Sequence, residues 1–118
     1  MTVINPVDVE NAIRTCSDRI SNGVKVCDER YRAFLKADRE YDAAFARAYM
    51  RHEGPAHEKK FAAELATQGQ REERDNADAA YKYADRQAKA LQDELRAWQS
   101  VGASVRSMYA VAGVGVGR

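Results

Sequence analysis

The stretch ADAAYKYADRQAKALQDELRAW, Ala77 to Trp98, decides the fold. Its apolar residues Ala77, Tyr81, Ala84, Ala88, Leu91, Leu95 and Trp98 recur in alternating steps of four and three, the spacing of a helix face that packs along another helix. A row of similar rhythm precedes it: Ile20, Val24, Cys27, Tyr31, Phe34, Tyr41, Phe45 and Ala48, with Asp38 as the one polar residue in the seam. Only His52-Glu53-Gly54-Pro55 offers a break between the two rows. The pattern predicts an all-α chain, a long antiparallel two-helix hairpin of coiled-coil type. The first helix covers about residues 6–52 and the second about 55–101, and 102–118 forms a short helical piece and a flexible glycine-rich tail.

The punctuation agrees with these bounds. Asn5-Pro6 followed by Asp8 and Glu10 is a helix start: an Asx cap, proline where no N–H is needed, and acids at the positive end of the dipole. Arg47, Arg51 and His52 gather where the first helix ends, Gly54 stops it, and Pro55 is suited to open the next. Such a short turn makes the two helices antiparallel neighbours. Thr67 to Asn76 contains no large apolar residue, so a stutter or local loosening is expected near Gly69. Folding about the turn sets this stretch against Asp38 and Arg39, giving a polar layer in which Asp38 faces Gln70, Arg71 or Arg74. One flanking cluster joins Tyr41, Phe45, Ala48 and Tyr49 to Phe61 and Leu65; the other joins Ile13, Ile20 and Val24 to Leu91, Leu95 and Trp98.

With 118 residues the chain has room for a single domain, and 19 Lys and Arg nearly cancel 18 Asp and Glu, so no global field directs it to nucleic acid or a membrane. A thin, alanine-rich hairpin buries little surface, which points to a homo-oligomer held by packing residues such as Tyr31, Phe34, Phe45, Leu91, Leu95 and Trp98 and by leftover Val26, Leu35 and Met50. No run reaches the roughly 20 apolar residues of a membrane span, and the N-terminus does not read as a signal peptide, so a cytoplasmic protein is expected. Cys16 and Cys27 lie about 16 Å apart along one helix, too far to bond to each other, and read as small buried hydrophobes.

No catalytic motif emerges. His52, Glu53, His57 and Glu58 lack the spacing of a zinc site, and no glycine-rich phosphate loop follows a strand. We therefore expect no enzyme, no cofactor, no metal and no small-molecule substrate. The basic residues carry more information. Lys82, Arg86, Lys89 and Arg96 recur at helical spacing and continue to Arg106; Arg32, Lys36, Arg39 and Arg47 form a looser row on the first helix. Rows of this kind can track a phosphate backbone while Tyr83 or Tyr109 stacks on bases, and they can equally keep an alanine-rich hairpin soluble.

Residues 25–108, with Ala79-Ala80-Tyr81-Lys82, Asp85-Arg86-Gln87-Ala88-Lys89-Ala90-Leu91, Leu95-Arg96-Ala97-Trp98-Gln99-Ser100 and Gly102-Ala103-Ser104-Val105-Arg106, resemble small helical bacteriophage proteins of the recombination-mediator type, similar to UvsY. The resemblance implies an oligomeric accessory in the bacterial host that binds single-stranded DNA and helps a recombinase or annealing protein displace the single-strand-binding protein. A phage structural or assembly chaperone that offers a coiled-coil surface is the alternative. Tyr81-Lys82-Tyr83-Ala84-Asp85 also fits the Tyr-x-x-x-Asp signal of helical hairpins exported by type VII systems, although the Trp-x-Gly turn of that class is absent.

Overall fold

The computed structural model describes the backbone from Ile4 to Val116 and the side chains from Ile4 to Ala112. Three helices follow one another: α1 (Pro6–Arg51), α2 (Ala56–Ala66) and α3 (Gln68–Val116). Helix α1 begins as its sequence dictates, with Asn5 Oδ1 accepting the Asp8 N–H at 2.9 Å to cap an otherwise orphaned donor. Gly54 ends the α1 segment at φ 152°, a conformation that disfavours a side chain; a Cβ there would lie 2.9 Å from Glu58 Oε2 and 3.1 Å from His52 Nε2. Pro55 is the N-cap of α2, and its carbonyl accepts the first helical N–H groups from Glu58 and Lys59.

The second half of the hairpin is interrupted at Thr67 and not at Gly69. Buried Thr67 donates its hydroxyl to the Ala63 carbonyl at 2.7 Å, and its N–H reaches back only to Glu64, so the regular ladder lapses for one residue. A threonine bonded to the carbonyl four residues earlier competes with that ladder, which explains the break without any glycine. Helix α3 then starts with the Arg71 N–H bonded to the Thr67 carbonyl. It runs through Gly102, where the sequence pattern suggested a stop, and on to Val116; the last two residues of the expected tail lie outside the described residues.

The chain divides into two compact units, one of residues 25–85 and one of residues 1–24 with 86–118. In the first, α1 and α3 run antiparallel, as Asp38 meets Arg74 while Tyr31 meets Tyr81. In the second they do so again, from Arg19 beside Glu94 to Gly102 beside Val9. On α3 the less exposed positions include Gln70, Arg74, Ala77, Tyr81, Ala84, Ala88, Leu91, Leu95, Trp98, Gly102 and Val105, so every residue of the expected seam lies in it.

The α1 seam differs from expectation by one residue at four places. Val9, Ile13, Cys16, Ile20, Gly23, Cys27, Arg30, Phe34, Ala37, Tyr41, Ala44 and Ala48 keep a strict alternation of four and three, and all are buried or half-buried. Gly23, Arg30, Ala37 and Ala44 therefore occupy places assigned to Val24, Tyr31, Asp38 and Phe45; Val24 is 64% exposed and Tyr31 43%. The reason is geometric: a seven-residue period selects positions without regard to residue size, and the larger neighbour is left on the flank. Arg30 fits because its stem can lie along the seam while its guanidinium donates to the Ala80 carbonyl at 3.3 Å. Tyr31 covers the seam edge with its ring 5.0 Å from Tyr81.

Phe61 and Leu65 also depart from expectation. Helix α2 buries Ala63 and half-buries Lys59, whereas Phe61 and Leu65 are 61% and 70% exposed. Two residues along a helix is about 200° of rotation, so burying Ala63 turns both outward. The aromatic ladder of Tyr41, Phe45 and Tyr49 is instead completed by cations, with Arg74 4.6 Å from the Tyr41 ring centre and Lys59 5.8 Å from that of Tyr49.

Two predictions follow from this packing. A Cβ at Gly23 meets nothing within 4 Å, so Gly23→Ala should stabilise by about 1 kcal/mol, or about 4 °C in thermal unfolding. Gly102→Ala should lack that gain, because its Cβ would approach Val9 Cγ1 to 3.1 Å; equal gains at both sites would refute this account of the packing. Arg74 combines the contact with Tyr41 and an ion pair to Asp38 at 3.8 Å, so Arg74→Ala should cost about 1–2 kcal/mol against less than about 1 for Asp38→Ala in urea unfolding.

Candidate nucleic-acid and assembly surfaces

The α3 basic row lies beside the seam and faces outward. Lys82, Lys89 and Arg96 each follow a seam residue by one position, and all three are exposed, as are Arg86 and Arg106. Local acids already accompany several cations: Lys82 Nζ is 2.9 Å from Asp78, and Arg96 is 3.3 Å from Asp93. On α1 the same holds for Arg32 with Asp28 at 2.9 Å and Lys36 with Glu40 at 3.9 Å. Pairs of opposite charge three or four residues apart are ordinary surface stabilisation, and their field beyond a Debye length is slight.

Other α1 cations differ. Among the described residues, Arg39, Arg47 and Arg51 have no carboxylate oxygen within 4 Å. All three line grooves within the 25–85 unit. One, of about 400 Å³, lies among α1, α2 and the start of α3 and includes Arg47, Arg51, His52 and Gln70. A second, of about 510 Å³, shares Arg47 and Gln70 and adds Arg39 together with Glu40 and Glu73. The sequence signal for Arg47 and Arg51 was available: no acid occurs from Ala43 to His52, so neither has a helical partner of opposite sign on that side.

The expected packing residues divide into two groups. Phe34, Leu91, Leu95 and Trp98 are half-buried in the seam, and Phe45 flanks it beside Ala44. Their apolar surface is largely spent within the chain. Met50, by contrast, is 78% exposed and joins Phe61 and Leu65 among large apolar residues facing outward, while Val26 and Leu35 are half-buried.

Cys16 and Thr67 are engaged in the fold. Cys16 is buried with its thiol 3.2 Å from the Leu91 carbonyl, and the Thr67 hydroxyl is committed to Ala63. Cys27 is a free, half-buried thiol. Among the described residues, no three His, Cys, Asp or Glu side chains come together as a metal site, and no helix is long and apolar enough to cross a membrane. Comparison with protein-family models, with curated proteins and with solved structures finds no match.

Because Lys82 and Arg96 make only local exposed pairs, replacing both by Ala should lower stability by no more than about 1 kcal/mol, at about 0.2–0.5 kcal/mol for each pair. Urea unfolding checks this, and a larger loss would mean that these cations support the seam.

Proposed function

We propose that this chain is a nonenzymatic helical interaction protein that works as an assembly of its own copies, in the manner of a structural or assembly chaperone. The observation that carries the reading is the distribution of apolar bulk. Among the described residues, the apolar side chains that are fully buried are Val9, Cys16, Val105 and three alanines, while Phe61, Leu65, Met50, Met108 and Val111 face outward. Small seam residues leave little area per residue to offset chain entropy, and pairing the outward side chains between copies supplies the missing burial. Phe61 and Leu65 are four residues apart on one helix, which forms a short apolar ridge suited to such pairing.

A second reading keeps the recombination-mediator resemblance, with single-stranded DNA and a recombinase or single-strand-binding protein as partners. What favours it is the pair Arg47 and Arg51 in one groove on α1; in the α3 row of Lys82, Arg86, Lys89, Arg96 and Arg106, Lys82 and Arg96 are already matched by Asp78 and Asp93, and none of the five lines that groove.

Sedimentation velocity tests the assembly reading. The wild type should sediment as a dimer or larger species at micromolar concentration, and Phe61→Ser with Leu65→Ser should shift it toward monomer while leaving helix content unchanged. A wild type that remains a cooperatively folding monomer across that range would remove the reading.

A further inference from the structure

The geometry points to a phosphoryl-binding groove at the α1–α2 end of the 25–85 unit, with Arg47 and Arg51 as its anion-binding residues. Four alanines, Ala44, Ala48, Ala62 and Ala66, bring the lining helices close and leave a groove of about 400 Å³. Arg47 and Arg51 enter from α1, His52 from just past its end and Gln70 from α3, and no carboxylate is among the residues that line it. The groove is thus a local excess of donors in a chain whose charges otherwise nearly cancel.

Three observations separate this site from ordinary surface charge. First, Arg47 and Arg51 are one helical turn apart and of like sign, an arrangement that disfavours the helix, yet neither has a carboxylate within 4 Å among the described residues. Attraction to the helix dipole accounts for Arg51 in the last turn; Arg47 lies one turn earlier, where that effect has faded. Second, the acid beside His52, Glu58 at 3.5 Å from its Nε2 on α2, is not among the residues that line the groove. Third, the neighbouring groove shares Arg47 and Gln70 and continues to Arg39, so arginines recur along α1 at rises of about 12 Å and 6 Å. Glu40 and Glu73 balance charge on that second stretch, which makes the carboxylate-free groove the primary site.

Guanidinium groups hold phosphoryl oxygens in a planar two-point fork, and an amide such as Gln70 can add a neutral donor. Alanine methyls on the floor present a smooth apolar surface that does not compete for the anion. The same chemistry serves a phosphodiester strand and free inorganic phosphate. The assignment is independent of self-association, because the outward ridge of Phe61 and Leu65 does not line the groove.

The full-length protein is tested by fluorescence anisotropy with a labelled oligothymidylate at two salt concentrations and by calorimetry with inorganic phosphate. Arg47→Ala with Arg51→Ala should weaken strand binding at least tenfold and flatten the slope of log affinity against log salt by about 1.4, at about 0.7 per phosphate contact. Arg47→Lys with Arg51→Lys should keep the slope and lose part of the affinity, since charge remains and the fork is gone. Lys82→Ala with Arg96→Ala should bind as wild type. Phosphate binding that the Arg47/Arg51 double alanine variant abolishes, in a protein that ignores the strand, supports the site with free phosphate as its ligand. The assignment is overturned if neither probe binds the wild type at low salt, or if the double alanine variant binds as well as wild type. Circular dichroism on each variant ties the outcome to the site and not to unfolding.

Discussion

The approach of α1 and α3 through small residues is the constraint on which the other features depend. Where Ala37, Ala44 and Ala48 on one helix and Ala77 and Ala84 on the other fill seam positions, the backbones can come close, but each such residue contributes little buried area. Stability in the 25–85 unit must then come from side chains that wrap the seam from its edges. Tyr31 against Tyr81, Arg74 over Tyr41, and Lys59 over Tyr49 do this, placing aromatic rings and cations where a conventional coiled coil would place leucines. The other unit is built differently: Val9, Ile13, Ile20, Leu91, Leu95 and Trp98 supply larger seam side chains, and Gly102 accommodates Val9.

The α3 seam was legible because Tyr81, Leu91, Leu95 and Trp98 carry its bulk at steps of the period, with Tyr83 the one large apolar residue of that stretch off it. On α1 the choice was ambiguous wherever a seam position holds a small or charged residue beside a larger apolar one. Selecting the more hydrophobic member of Gly23 and Val24, or of Arg30 and Tyr31, gives the wrong answer, whereas extending the period from Val9 and Cys16 gives the right one. Hydrophobicity marks a seam only where packing demands bulk; at a close contact such as Gly102 against Val9 smallness carries the signal, whereas Gly23 holds its place by period alone. The same physics misplaced Phe61 and Leu65. They look like core residues in isolation, and only the burial of Ala63 and Thr67 shows that α2 turns its small face inward.

Charge was legible at the level of rows but not of function. Helical spacing placed Lys82, Arg86, Lys89 and Arg96 together, yet the same spacing rule applied to acids puts Asp78 and Asp93 within reach of Lys82 and Arg96. A cation already matched by a neighbour has less to offer a polyanion, since exchanging one partner for another returns little free energy. The informative quantity is therefore the local absence of acids. By that measure Arg47 and Arg51 qualify together, since neither has an acid three or four residues away on α1.

The turn is what converts this charge excess into a site. Gly54 leaves no Cβ between His52 and Glu58, allowing these side chains to approach across the turn from α1 to α2. Glu58, the acid held against His52, lies outside the groove, whose lining retains Arg47, Arg51 and His52. The break at Thr67 adds the remaining wall: because the helical ladder lapses before α3 begins, Gln70 joins the groove alongside Ala62 and Ala66 of α2. An uninterrupted second helix would instead keep one continuous face through this region. The two departures from regular helix, at Gly54 and at Thr67, thus border a groove whose lining combines paired arginines with no carboxylate.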